Sequence, residues 1–132
     1  MQNSDKVALV VVDHGSRAEA SNASLEVVVR EIAALAGERF LAVLPAHMEL
    51  AVPSIADAFD SAVARGADFV VVALYFLAPG RHCDNDVPRL AAEAAARHPG
   101  LRFTVASSLG PHAALSALVL ERASDALLRA RS

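Results

Sequence analysis

Four short apolar runs alternate along the chain with longer segments of helical periodicity, and this alternation limits the possible folds more than any other feature. Residues 6–12 (KVALVVV), 40–44 (FLAVL) and 69–76 (FVVVALYF) have no polar alternation, which is typical of strands buried on both faces of a sheet. Residues 101–106 (LRFTVA) are less apolar, but they follow a Pro-Gly turn and are rich in strand-forming residues. We therefore predict four β-strands.

The segments between the strands have apolar residues at three- and four-residue steps, as amphipathic helices do. One such stripe predicts a helix over about residues 18–36, and Pro53 is expected at the first position of a second helix, where a missing N–H costs little. Residues 88–98 predict a third helix, and Leu115, Leu118, Val119, Ala126 and Leu127 mark a fourth. Strands joined through helices pair in parallel, so we expect an α/β domain with helices on both faces of the sheet.

Composition favours one water-soluble domain over residues 1–132. The chain has 132 residues, of which 55% are hydrophobic and 20% charged, enough for a substantial core. The longest apolar run, residues 69–78, is half of the roughly 20 residues that cross a bilayer, and the start of the chain lacks the pattern of a signal peptide. The single cysteine, Cys83, excludes an internal disulfide, and a net charge of −3 argues against a nucleic-acid partner. We expect a cytoplasmic protein with no membrane partner.

Four of the five histidines follow the ends of predicted strands. His14, His47, His82 and His112 each lie in the loop after one strand, whereas His98 lies near a helix end and is read as structural or solvated. Because ligands of open parallel sheets bind beyond the carboxyl ends of the strands, this grouping predicts a metal site or acid–base chemistry. No local spacing such as His-x-x-x-His supports a metal, and any one loop histidine could equally bond only to backbone.

The sequence lacks the motifs with which proteins of this architecture bind other common ligands. No Gly-x-Gly-x-x-Gly turn follows a strand, and the only lysine, Lys6, precedes the first strand, so neither a dinucleotide site nor a P-loop is expected. A histidine phosphatase stays an alternative, because its first strand ends in Arg-His-Gly and this chain has His14, Gly15 and Asn22. However, Asp13 stands where that family has arginine, and a carboxylate there would repel phosphate.

The four loops also carry short motifs in a fixed order. They are residues 13–17 (DHGSR) with Asn22, residues 46–51 (AHMELA) continuing at 53–55 (PSI), residues 75–82 (YFLAPGRH) continuing at 86–88 (DVP), and a weaker match at 109–112 (LGPH). Taken together, these motifs resemble those of the short-form sirohydrochlorin chelatases, the CbiX/SirB type of class II chelatases. The resemblance extends over nearly the whole chain.

The resemblance implies an enzyme of the lyase class that inserts Fe²⁺ or Co²⁺ into sirohydrochlorin without a nucleotide, leading to sirohaem or towards cobalamin. The metal would be a substrate, and no prosthetic group is expected. It also implies a flavodoxin-like, chelatase-like domain with strand order 2-1-3-4, and pairing of two copies as a homodimer. A carrier that binds the tetrapyrrole or the metal without turnover is the alternative, since the same loops could serve it.

Carried over by position, the resemblance implies roles for individual residues. His14 would be a metal ligand and proton acceptor, His82 the second metal ligand, and Glu49 a contact to the tetrapyrrole that could also accept a proton. Arg17 and Arg81 could pair with substrate carboxylates. His47 and His112 are secondary candidates, orienting the ligands or facing the ring. The loop expected to contact the tetrapyrrole comprises Leu77, Ala78, Pro79, Gly80, Arg81 and His82.

Overall fold

A four-stranded parallel sheet forms the centre of the protein. In the computed structural model, which describes residues 5–132, the strands are β1 (Val7–Asp13), β2 (Ala42–His47), β3 (Phe69–Leu74) and β4 (Arg102–Val105). They lie in the order β2-β1-β3-β4, and every neighbouring pair is parallel. The predicted α/β class and strand order are confirmed.

Four α-helices connect or follow the strands. They are α1 (Glu19–Ala36), α2 (Ile55–Ala64), α3 (Val87–Ala96) and α4 (Ala113–Arg131), and a π-helical turn (His82–Asp86) runs directly into α3. No helix within residues 5–132 has the length and apolar character needed to cross a membrane.

Several predicted element boundaries were wrong: β2 begins at Ala42 rather than at Phe40, β3 ends at Leu74 rather than at Phe76, and two further differences have a clear local cause. The second strand extends to His47, past Pro45, because β2 is an edge strand and tolerates a residue without an N–H. Helix α2 begins at Ile55 rather than at Pro53, because Ser54 caps it: its side chain accepts a hydrogen bond from the Asp57 N–H, and the Asp57 carboxylate accepts one from the Ser54 N–H. Pro53 instead uses its carbonyl to accept the His47 N–H.

The larger core lies between the sheet and the α2–α3 layer. Phe59 of α2 is fully buried there, against Val10, Val70 and Val72 of the sheet. Burying a side chain of that size contributes about 2–3 kcal/mol. On the opposite face, α1 covers β1 with a smaller cluster formed by Leu9, Val11, Leu25 and Val29. The placement of α1 on one face and α2–α3 on the other follows from right-handed crossovers.

Helix α4 departs from the prediction that all the helices cover the sheet. None of its residues, Ala113–Arg131, is buried, and Val119 and Leu120 are 66% and 69% exposed. The face of β3 next to α1 is only half-covered, since buried and half-buried residues alternate along this strand. The expectation of helices on both faces therefore holds for α1, α2 and α3 alone.

Candidate metal centre

Two imidazoles meet at the carboxyl edge of the sheet. His14 follows β1 and His82 follows β3, and these strands are neighbours. The centroids of the two rings are 4.9 Å apart and the ring planes make an angle of 89°. Both side chains are about half exposed, at 48% and 47%. The juxtaposition predicted for these residues is thus present in the fold, and a single ion could reach both rings.

The Glu49 side chain lies against one of these rings. His14 Nε2 donates a hydrogen bond to Glu49 Oε2 over 2.9 Å, because a carboxylate only accepts. The backbone fixes this contact, since Met48 N–H donates to Asp13 O and Glu49 N–H to His14 O. Gly15 has φ of +92°, and a Cβ on it would overlap the Glu49 carbonyl oxygen. Only glycine lets the two loops approach this closely.

A carboxylate also orients the second imidazole. His82 Nδ1 donates to Asp86 Oδ2 over 2.8 Å across the π-helical turn. This bond leaves Nε2 of His82 with its lone pair free, the arrangement usual for a histidine that binds a metal. Asp86 had no role in the sequence analysis; its position four residues after His82 is the signal that could have found it.

The side-chain amide of Asn22 stabilises the loop that carries His14. The Asn22 side chain accepts the Ser16 N–H and donates to the Ser16 carbonyl, over 3.0 and 2.7 Å. This two-way bond explains the place of Asn22 beside the first motif: it braces the loop that carries His14 and does not touch the imidazoles itself.

The centre is open and is not a preformed metal cage. Among residues 5–132, no group of three or more His, Cys, Asp or Glu side chains has the arrangement of a metal site. Two imidazoles with free lone pairs supply two ligands, so most coordination positions of a divalent ion stay available to water or to substrate. Such an arrangement suits transient binding of borderline cations such as Fe²⁺ and Co²⁺.

A third imidazole at this edge is buried. His47 is 2% exposed and its Nδ1 donates to Asp13 Oδ1 over 2.6 Å. The two residues are direct partners in the register of β1 with β2. Sequence reasoning used Asp13 as part of a motif and as an argument against a phosphate site, and missed this pair, although two polar residues that end adjacent strands are the signal for it. His47 is therefore too buried to face the tetrapyrrole ring.

The loop after β3 presents an apolar surface next to His82. Leu77 is 72% exposed, and Ala78, Pro79 and Gly80 that follow it are also exposed. The Phe76 ring lies 6.4 Å from the His82 ring between centroids. The predicted tetrapyrrole loop is thus a largely apolar rim beside the two imidazoles.

The two arginines predicted to bind carboxylates lie in different places. Arg81 is exposed next to His82 and forms no ion pair with any residue between 5 and 132. Arg17 lines a separate cavity of about 610 Å³ between the start of α1 and the loop after β2, and neither His14 nor His82 lines it. The structure therefore brings Arg81, but not Arg17, to the imidazole pair.

The remaining histidines have structural partners. His112 caps α4, its Nδ1 accepting the Ala114 N–H over 3.0 Å. His98 Nε2 donates to Asp60 over 2.7 Å, and Arg97 donates to the other oxygen of the same carboxylate. The contact with Asp60 is consistent with the structural role expected for His98.

Cys83 stands beside His82 but faces the core. It is buried, and its Sγ donates to the Ala78 carbonyl. Burial, followed by the nearby Asp84 carboxylate, raises the pKa of the Cys83 thiol. A thiol with a raised pKa is a poor metal ligand at neutral pH, since thiolate is the ligating form.

Comparison with known proteins points to the same chelatase family that the sequence motifs resemble. The CbiX family model matches residues 8–126. The chloroplastic sirohydrochlorin ferrochelatase of Arabidopsis thaliana is 45% identical over 118 residues, which is 89% of this chain and 52% of that protein. A CbiX protein from Marinobacter aquaeolei VT8 superposes with a TM-score of 0.71 at 27% identity, covering 93% of this chain and 98% of the other.

A structure with a bound metal is also similar. The sirohydrochlorin chelatase SirB from Bacillus subtilis subspecies spizizenii, solved in complex with cobalt, has a TM-score of 0.76 and 26% identity over 91% of this chain and 50% of that one. The chain spans about half the length of the curated relatives it matches. With a family model that matches most of its length, the chain belongs to the CbiX family.

Proposed function

We propose that this protein is a lyase that inserts Fe²⁺ or Co²⁺ into sirohydrochlorin without a nucleotide. The observation that carries the proposal is the pair of half-exposed imidazoles of His14 and His82, 4.9 Å apart between ring centroids. The Arabidopsis relative is named for iron insertion into this substrate, and SirB was solved with cobalt. The product belongs to sirohaem synthesis with iron and to cobalamin synthesis with cobalt.

Metal insertion requires that two pyrrole protons leave the macrocycle as the ion enters. His82 binds the ion through Nε2, because Nδ1 is held by Asp86. His14 shares the ion through its free Nδ1 lone pair, and once the ion has passed into the macrocycle this nitrogen takes up one of the two pyrrole protons. The Glu49 carboxylate at Nε2 stabilises the resulting imidazolium, and the second pyrrole proton passes to water. The ordinary pKa of histidine, about 6.5, makes imidazole a suitable proton acceptor near neutral pH.

The ring of the substrate rests on the apolar loop after β3 in this proposal. Leu77 and the exposed residues that follow it offer a surface for a flat macrocycle next to His82. The Arg81 guanidinium, without an ion-pair partner among the described residues, forms bidentate bonds to a peripheral carboxylate. Arg17 serves a carboxylate on the far side of the first loop, from the cavity that it lines.

We further propose that residues 1–132 form a single domain that acts as a homodimer in the cytoplasm. The Marinobacter CbiX protein, which this chain covers over 98% of its length, supports the single domain. The buried, unpaired Cys83 suits a reducing compartment. The exposed apolar residues of α4 support association with a second copy.

The first test is turnover with purified protein, sirohydrochlorin and either Fe²⁺ or Co²⁺. An enzyme accelerates the change in the absorption spectrum when protein is present at a hundredth of the substrate concentration. A carrier gives a spectral shift that stops at one equivalent of ligand. A shift that saturates at stoichiometric protein, with no turnover, contradicts the proposal.

Substitutions of the two imidazoles test which residues act. His14→Ala and His82→Ala are each expected to lower kcat/KM at least about a hundredfold, the size typical of a lost acid–base group. His98→Ala is the matched control, because it removes an imidazole at the other end of the molecule and should leave the rate unchanged. Full activity of both site variants, with unchanged circular dichroism, would show that these residues do not carry the reaction.

The role of Arg81 is tested through KM. Arg81→Ala should raise KM for sirohydrochlorin about tenfold with little change in kcat, because a charge-assisted bond to a remote carboxylate is lost in ground and transition states alike. Arg89→Ala, which removes an exposed arginine paired with Glu93 on α3, is the control. An unchanged KM in Arg81→Ala rules out the contact.

A further inference from the structure

Leu50 has a backbone conformation that leucine rarely adopts. Its φ is +68°, in the left-handed region, and no other residue between 5 and 132 except glycine has a positive φ. A bulky L-residue is strained there, because its Cβ comes too close to the backbone. Leu50 directly follows Glu49, whose carboxylate accepts a hydrogen bond from the His14 imidazole. Strain of this kind persists only where the surrounding structure forces it, and it is frequent at functional sites.

The packing of the Leu50 side chain does not account for this conformation. Leu50 is 52% exposed, and it belongs to neither hydrophobic cluster of the described part of the chain. Its side chain borders the cavity that Arg17 also lines. Burial of apolar surface could offset the strain, but half of this residue stays in contact with water. The cause must therefore lie in the path of the main chain.

The main chain is held in place immediately before Leu50. The Glu49 N–H donates a hydrogen bond to His14 O over 3.1 Å. The Glu49 carbonyl oxygen occupies the place that a Cβ on Gly15 would take. Both peptide groups of Glu49 are therefore fixed against the loop after β1, which carries His14.

The main chain is held again three residues after Leu50. The His47 N–H, at the end of β2, donates to Pro53 O over 2.8 Å, and His47 pairs with Ser54 in an isolated parallel bridge. Residues 48–52 thus form a short loop that leaves β2 and returns to it. Leu50 is the middle residue, and its positive φ reverses the chain, as in tight turns. With a negative φ the chain would continue in another direction and could not keep both attachments.

We infer that Leu50 is a positioning residue, whose left-handed backbone holds the Glu49 carboxylate against the His14 imidazole. The inference rests on the proposed function, in which this carboxylate stabilises the imidazolium form of His14. Glu49 is half exposed and its side chain has several rotatable bonds, so a fixed main chain lowers the entropy lost when the contact forms. Leu50 itself acts only through Glu49, and its backbone conformation, not its side chain, has the effect.

Two substitutions separate the backbone conformation of Leu50 from its side chain. Leu50→Ile keeps the size and apolar character, but branching at Cβ disfavours a positive φ. Leu50→Asn removes the apolar side chain, but asparagine tolerates this conformation well. We expect kcat for metal insertion to fall about tenfold in Leu50→Ile, with little change in KM, and to stay near the wild-type value in Leu50→Asn. Leu41→Ile, at another exposed leucine without a positive φ, is the control.

A double-mutant cycle shows whether Leu50 acts through Glu49. In a Glu49→Ala background, Leu50→Ile should have no further effect on kcat, because the contact that it disturbs is already lost. A tenfold loss in both backgrounds would show that Leu50 acts on another group, and it would overturn the inference. A Leu50→Asn variant as slow as Leu50→Ile would overturn it as well, since the side chain would then be the cause.

Amide hydrogen exchange tests the same geometry without metal insertion. Leu50→Ile should speed exchange of the Glu49 amide at least about fivefold, because its bond to His14 O is weakened, and should leave the amide of Val10 within β1 unchanged. Leu50→Asn and Leu41→Ile should keep both wild-type rates. An unchanged Glu49 rate in Leu50→Ile refutes the positioning role. If the wild type inserts no metal, the proposed function fails, and the exchange rates still decide whether Leu50 holds Glu49 in place.

A milder pair of variants covers the case in which Leu50→Ile does not fold. Leu50→Ser and Leu50→Asn both introduce a small polar side chain, but asparagine is several-fold more frequent at positive φ. We expect kcat to be about threefold lower in Leu50→Ser than in Leu50→Asn, with faster exchange of the Glu49 amide in the serine variant. Equal rates and equal exchange in these two variants contradict the inference.

Discussion

Two imidazole–carboxylate pairs at the same edge of the sheet have opposite surroundings. His14 and Glu49 lie 2.9 Å apart with both side chains about half exposed, whereas His47 and Asp13 lie 2.6 Å apart with side-chain exposures of 3% and 20%. The two pairs are alike in residue type, and each bridges the loops or strand ends of β1 and β2. Burial therefore separates a group that can bind and exchange protons from one that holds two strand ends together.

The neighbouring His82–Asp86 pair resembles the exposed one. Its imidazole is 47% exposed and keeps one nitrogen free, and it faces the His14 ring. Residue type alone did not distinguish these pairs, because each has a histidine and a carboxylate within loops or strand ends. The distinction predicts opposite responses to mutation.

The largest expected effect on stability is at the buried pair. His47→Ala leaves the Asp13 carboxylate without its partner in a mostly buried place, and should lower the free energy of unfolding by about 2–3 kcal/mol. Urea denaturation measures this loss. His14→Ala, at the exposed pair, should change the same quantity by less than about 0.5 kcal/mol, since exposed ion pairs contribute little.

Asparagine substitutions at His47 and His14 compare the buried and the exposed pair through the chelatase rate. In His47→Asn the amide can still donate to Asp13, so this variant should regain part of the stability that His47→Ala loses and should keep nearly the wild-type chelatase rate. His14→Asn should be as slow as His14→Ala, because an amide does not take up a proton. Equal activities of these two variants would remove the distinction between the buried and the exposed pair.

A smaller effect is expected where a carboxylate acts only through an imidazole. Asp86→Asn keeps the shape of the side chain but weakens the hold on His82 Nδ1, and should lower kcat/KM about tenfold, as is usual for partners of metal-binding histidines. Asp84→Asn, in the same π-helical turn, is the control and should keep the wild-type rate. Co²⁺ affinity, read from its visible absorption, should fall in Asp86→Asn alone.

The smallest effect concerns the buried thiol next to the site. Because burial raises the pKa of Cys83, the unfolded chain loses this proton at lower pH than the folded protein. Stability from this group is therefore present at neutral pH and falls as pH rises from the ordinary thiol pKa to the higher folded value. Urea titrations should show a steeper alkaline loss for wild type than for Cys83→Ala, by less than about 1 kcal/mol, with equal chelatase rates at pH 7. Parallel curves would contradict this.

Much of the fold was predictable from local patterns. The apolar runs and helical stripes located all four strands and all four α-helices, because strand and helix periods differ enough to be read from one sequence. The errors have local causes. Pro45 ended the predicted second strand too early, although an edge strand accepts proline, and the Ser54–Asp57 capping box moved the start of α2 past Pro53.

Less of the candidate site was predictable. Histidines after successive strands indicated a common edge, and parallel pairing of β1 with β3 explains why His14 and His82 meet. The separation of Arg17 from that pair depends on how the first loop turns, with Asn22 bracing it, and no pattern predicted that turn.

By itself, the sequence determined the alternation of strands and helices, the parallel sheet and the edge at which its reactive side chains gather, since these depend on short-range periodicity and on chain connectivity. Only the tertiary structure decided which imidazoles are buried, which nitrogen each carboxylate holds, and that α4 leaves its own sheet uncovered. Those outcomes depend on contacts between residues far apart in the chain, whose distances no local pattern encodes.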